Sequence, residues 1–176
     1  QKYGRPLILA MSADLSDSTN ISGFAKGYGG ARDRGFYEKK SNTKSPLFPQ
    51  GITEFTNAGM MAGAATVNFS AKPYESFSGF YGAVSTYGSF SYLKYGPLRL
   101  FSQLAQDSEL KVGKIIWVVG HSGPETAEDS RTHYGIFAPG VTQLFPNGSI
   151  INIHPWEHNE VAPSLTAALK TDVPIV

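Results

Sequence analysis

The 176-residue sequence predicts an α/β domain, doubly wound around a mostly parallel six-stranded sheet with helices on both faces. Short apolar runs alternate with helix-length segments along the chain, the pattern of βα repeats. A stretch dominated by Ala and Gly follows the second of those runs, as suits a helix packed tightly against a sheet. Directly after the clearest strand, Ile115–Val119, comes a loop from His121 to His133 that holds two imidazoles and three carboxylates. A loop at the carboxyl end of a buried parallel strand is where open α/β sheets place their chemistry.

Taken in order, Pro6–Met11 is a continuous apolar run and reads as a buried strand. Residues 16–46 are rich in Ser, Gly, Asn and charge and read as a long surface loop with one helical turn. Phe48–Ile52 is a second strand candidate, weakened by Pro49. Glu54–Val67 reads as a helix. Its Gly59 and Gly63 each cost roughly 1 kcal/mol relative to Ala, so a close backbone approach is expected there. Phe77–Thr86 is the third strand and Ser89–Gln106 the next helix, in which Pro97 predicts a kink or a late start. Ala138–Phe145 reads as a helix that ends at the turn signal Pro146-Asn-Gly. Ser149–Ile153 is the fifth strand, Glu157–Leu169 a helix flawed by Pro163, and Asp172–Val176 the sixth strand.

Bulk composition narrows the function. Lys and Arg total 15 against 14 Asp and Glu, so no basic stripe argues for nucleic acid and no polybasic segment for a membrane surface. No apolar stretch reaches the roughly 20 residues that span a bilayer. Cysteine is absent, which removes disulfides and thiolate metal sites and suits a reducing, cytoplasmic setting. The chain opens on Gln1 and stops inside an apparent strand, so it reads as one domain cut at both ends.

Taken alone, Glu54 is a first-turn glutamate that favours the helix dipole by a few tenths of a kcal/mol. Its company changes that reading. Ser12-Ala-Asp-Leu-Ser-Asp-Ser18, Gly51-Ile-Thr-Glu-Phe55, Thr86-Tyr-Gly-Ser-Phe90, the His121–His133 loop with Glu128-Asp129 and Thr132, and His154-Pro-Trp-Glu-His-Asn-Glu160 stand in that order along the chain. Together they resemble the motifs of the central, pyrimidine-binding (Pyr) domain of transketolases. The resemblance implies a thiamine diphosphate-binding Pyr-type fold. It also implies a reaction that moves a two-carbon ketol unit between sugar phosphates.

Roles follow from that resemblance residue by residue. Glu54 would hydrogen-bond the aminopyrimidine ring, favour its imino tautomer and so activate the cofactor, which carries the hard chemistry. Asp14 would sit near the cofactor, and Tyr87 and Phe90 would hold the ring between aromatic faces. The bland reading of those two aromatics is core packing. His133 would contact the oxygens around the scissile bond, as a second catalytic residue beside Glu54. Asp129 would read a sugar hydroxyl, a contact that can reject analogues lacking it. Ser18 and His121 would hold the sugar phosphate as donors.

The family's cofactor is held at its diphosphate through Mg²⁺ by a G-D-G segment on another domain, and no G-D-G occurs here. The resemblance therefore implies a diphosphate-binding domain or subunit as partner, half a site on this chain, and a homodimer. The diphosphate-binding and C-terminal domains would lie outside it, and the chain alone would be inactive. The pattern also departs from the family. Thr53 and Phe55 replace Arg and His around Glu54, Ser130-Arg131 replaces Gly-Pro, and Phe69–Ser85 is long. Other readings stay open: another thiamine diphosphate enzyme (a 1-deoxyxylulose-phosphate synthase, a phosphoketolase or a 2-oxo acid dehydrogenase β subunit), or a non-catalytic assembly module. The His-rich loop also has metal-ligand types, but the neighbouring motifs rank sugar binding above metal. His154 and His158 straddle a Pro and a helix start, which favours surface or capping roles.

Overall fold

A computed structural model describes residues 6–29, 35–120, 133 and 138–176. Four parallel strands form one sheet: β1 (Ile8–Ser12), β2 (Leu47–Phe48), β3 (Tyr81–Tyr87) and β4 (Ile115–Gly120), in the order β2-β1-β3-β4. Register aligns Met11 with Val84 and Val84 with Trp117. Those side chains share one face, and Ala10, Ala83 and Ile116 share the other. The period-2 alternation of a strand thus yields two cores, each with its own helical cover.

On the first face lie helix α1 (Glu54–Thr66), through Ala58, Met61 and Ala65, and helix α2 (Tyr95–Asp107), through Leu98 and Phe101. On the second face a 3₁₀ turn at Ser22–Ala25 covers Leu47, and helix α4 (His158–Leu169) brings Leu165 and Leu169. Between them in the chain comes the short helix α3 (Ala138–Thr142). Helices therefore cover both faces of a parallel sheet.

Among the described residues the sheet has four strands rather than six. The expected fifth and sixth strands are reduced to single parallel bridges, Ile150 to Ile175 and Ile175 to Ile115, so the sixth segment lies beside β4 and the fifth beyond it. Backbone bonds hold the sixth to β4: the Ile115 amide donates to the Pro174 carbonyl and the Val176 amide to the Ile115 carbonyl (both 2.9 Å), and the Trp117 amide donates to the Val176 carbonyl (2.7 Å). The Lys114 ammonium adds bonds to the carbonyls of Thr171 and of Val173 (2.8 Å to the latter). The second strand is only Leu47–Phe48, because Pro49 follows and offers no amide.

Helical expectations also shift. Gly88–Lys94 is a 3₁₀ stretch and the α-helix begins at Tyr95, so Pro97 falls in the first turn, where a missing amide costs nothing. Helix α4 starts one residue late, with Glu157 as its N-cap in a reciprocal capping box with Glu160. Close approach is absent at Gly59 and Gly63, where an added Cβ would meet nothing within 4 Å. It occurs instead at Gly82 of β3, where a Cβ would stand 2.9 Å from the Met61 Cβ.

The long segment before β3 folds back at the amino edge of the sheet. The Asn68 amide donates to the carbonyls of Pro73 (3.3 Å), Ser76 (2.9 Å) and Lys111 (3.0 Å), and its oxygen accepts the Ser70 and Ser78 amides. One side chain thus organises the whole excursion.

Candidate active site

Strand order turns outward in both directions from β1 and β3, which makes the crevice between their carboxyl ends the switch point of the sheet. Three hydroxyls close its floor. Thr19 donates to the Leu15 carbonyl (3.0 Å), so its oxygen accepts from Ser85 of β3 (2.9 Å) and from Ser12 of β1 (2.6 Å). This knot folds the segment after β1 across the crevice. Asp14 is half-buried there, with its Oδ1 accepting the Leu15 amide at 2.7 Å. Ser18 lies against the end of β4, where a Cβ on Gly120 would stand 3.4 Å from the Ser18 carbonyl oxygen.

Glu54 opens α1 at the same edge and is 5 % exposed. Its Oε1 accepts the hydroxyl of Thr86, the penultimate residue of β3, at 3.0 Å. Among the described residues no donor reaches Oε2, and that atom is not fully enclosed. Thr53, the N-cap, leaves the first-turn amides uncapped and donates to Gln50 Oε1 and the Gly51 carbonyl (both 3.2 Å). The partial positive charge of the helix start therefore falls on Glu54.

One turn along α1, the fully buried Asn57 donates to the Met11 carbonyl at 3.5 Å and accepts from the Lys94 ammonium. Lys94 ends the 3₁₀ stretch and is 0 % exposed. Burial pushes its ammonium down to about 7, with the negative charge of Glu54 pulling the other way. Sequence reading missed Asn57 and Lys94, and passed over Thr86 although it stands in a quoted motif. A signal existed: Phe90, Lys94, Leu98 and Phe101 fall at helical spacing, so the lysine stands on an apolar stripe.

The ring of His133 stacks on Tyr87 (centroids 4.3 Å apart, planes at 23°) and meets Phe90 edge-on at 5.8 Å. Thus Tyr87, Phe90 and His133 form one aromatic group beside the Thr86–Glu54 hydrogen bond. Asp14 and Ser18 occupy the neighbouring strand end. His121 and Asp129 lie outside the described residues.

This edge joins a buried carboxylate with one open oxygen to a set of flat rings, a donor set that suits the polar edge of a planar heterocycle. The model of a known family, the transketolase pyrimidine binding domain, matches residues 3–176. The chain belongs to this family. It is thus a Pyr domain of the thiamine diphosphate enzymes, a class shared by transferases, lyases and dehydrogenases. Such a domain usually pairs with a partner domain. No curated protein and no solved structure matches the chain.

The residues present fit the pyrimidine end of thiamine diphosphate. Glu54 Oε2 is open to the ring's polar edge, and Tyr87 and Phe90 supply apolar faces. For the diphosphate end, no group of three or more His, Asp or Glu that could hold a metal ion occurs among the described residues.

Proposed function

We propose that this Pyr domain belongs to a transketolase, which transfers a two-carbon ketol unit between sugar phosphates. The observation that carries the reading is the meeting of three separated motifs at one sheet edge: Glu54 on Thr86, Tyr87 beside it, and His133 stacked on Tyr87. The S-A-D-L-S-D-S segment and the spacing of His121 to His133 favour transketolase over the other enzymes of the class.

When bound, thiamine diphosphate supplies the nucleophile that cleaves a carbon–carbon bond next to a carbonyl. Glu54 holds the pyrimidine ring through its open oxygen, while Thr86 fixes the other oxygen and so the plane of the carboxylate. Tyr87 and Phe90 wall the ring, and Asp14 closes the site from the β1 side. His133 contacts the substrate oxygens around the scissile bond, Asp129 reads a sugar hydroxyl, and Ser18 with His121 receives the phosphate. Mg²⁺ and the diphosphate belong to a partner domain or subunit. The assembly is a cytoplasmic homodimer, which the exposed apolar face of α1 and α2 supports: Phe55 is 65 % and Leu100 68 % exposed.

The test uses the protein assembled with its diphosphate-binding partner, assayed with ketose phosphates and aldose acceptors. Glu54→Ala is expected to lose nearly all turnover with an unchanged circular dichroism spectrum. Undiminished transfer in that variant refutes the mechanism. Activity on pyruvate with glyceraldehyde phosphate, in place of ketose phosphates, moves the domain to a synthase of the same class. Thiamine diphosphate failing to bind the assembly makes it a non-catalytic module.

A further inference from the structure

Lys94 has no part in the reading above, yet among the described residues it is the largest side chain that is completely buried. A buried ammonium is costly unless it is paired or hydrogen-bonded. Its hydrogen-bond partner is neutral, the Asn57 side-chain oxygen, so Asn57 satisfies one N–H without cancelling the charge. The start of α2 does not help either, since Lys94 is the N-cap of that helix and a cation is disfavoured there. The elements packed on this stretch narrow the candidates for compensation. Helix α1 presents Glu54, β3 presents Tyr87, and α2 carries Tyr95 and Arg99 in its first turns. Neither β4 nor α3 has an ionisable residue, and His133 reaches the stretch through Phe90. Glu54 is the one anionic group among these. The charge on Glu54 acts on Lys94 and raises its proton affinity against the effect of burial.

Glu54 has the reciprocal need. It is a buried carboxylate with a single hydroxyl donor. Residues 54 and 57 stand three apart on one face of α1, so Asn57, as the acceptor of the ammonium, seats Lys94 on the side of the helix that carries the carboxylate.

We propose that Lys94 is a positioning residue for Glu54: seated on Asn57, it places a buried positive charge beside the carboxylate, whose open oxygen stands ready to accept a hydrogen bond from a planar ligand. This deepens the thiamine diphosphate reading and rests on it for the ligand, but the electrostatic coupling itself belongs to the unliganded protein. Because Lys94 lies near 7, the support it gives is present in acidic and neutral solution and fades as pH rises above that value. Ligand capture by Glu54 thereby acquires a sensitivity to alkaline pH that a lone carboxylate lacks.

The experiment follows ionisation directly, on the full chain without cofactor. Lysine labelled with ¹³C at Cε reports the Lys94 titration by NMR, with Lys94→Met assigning the signal. In Glu54→Gln, which keeps size and shape, the Lys94 midpoint is expected to fall by about one pH unit. An unmoved midpoint overturns the proposal. A merely structural lysine would alter stability in these variants and leave the midpoint in place. The readout involves no cofactor, so a failed cofactor titration leaves it intact and condemns the functional reading alone.

Discussion

At the scale of single residues, Glu54 is held by one hydroxyl and faced by one buried cation. Thr86→Val keeps the shape of β3 and removes that hydroxyl, leaving a buried carboxylate oxygen without its donor. Such a loss costs about 1–3 kcal/mol, and a lowered urea midpoint at unchanged slope is the expected result. Lys94 sets a pH dependence whose sign follows from its direction of shift. The folded value lies near 7 and the ordinary value is 10.5, so between them the unfolded chain holds a proton that the folded chain has released. The destabilising contribution is full below about 7 and is relieved as pH climbs towards 10.5. Wild type is therefore expected to gain stability on Lys94→Met across that window, as urea titrations at its two ends would record. Glu54 was legible because G-I-T-E-F announces it. Lys94 was not, since a lysine among Tyr and Leu reads as a solvated tip until the stripe through Leu98 and Phe101 is traced.

At the scale of elements, apolar run length located β1, β3 and β4 and the start of α1, placed α4 to within one residue, and met β2 only at Phe48. It overstated the last two strands because apolar content does not specify a ladder. Ile150 is half-buried and Ile175 buried, and backbone bonds tie Pro174 and Val176 to β4, but each segment makes only isolated bridges. Glycine content misled in a similar way. The small residues of α1 suggested a helix pressed on the sheet, yet the pressure falls on Gly82 across from Met61, while Gly59 and Gly63 face open space. Opposite outcomes follow for the same chemical change. Gly82→Ala overpacks a helix–sheet contact and should cost about 1–3 kcal/mol, whereas Gly63→Ala should add about 1 kcal/mol of helix stability. Thermal or urea denaturation of the two variants side by side is the check.

At the scale of the whole molecule, the sheet separates a reactive carboxyl edge from an amino edge, and its α1–α2 side remains apolar outside. Phe55, Pro97, Leu100 and Leu104 line a groove floored by Gly59 and Gly63, wide enough to seat side chains from another surface. If that face closes the proposed homodimer, Leu100→Glu should shift sedimentation from dimer to monomer with the secondary structure retained. A dimer that survives the charge places the interface elsewhere.

The knot around Asn68 carries a practical meaning. It gathers five hydrogen bonds into a small loop whose tip, Tyr74 and Glu75, stands in solvent at the end of the molecule farthest from Glu54 along the strands. Exposed tips on anchored stems tolerate added sequence. This is where a fluorophore, an epitope or an inserted reporter domain can be grafted so that the protein is watched or tethered while its chemistry proceeds undisturbed.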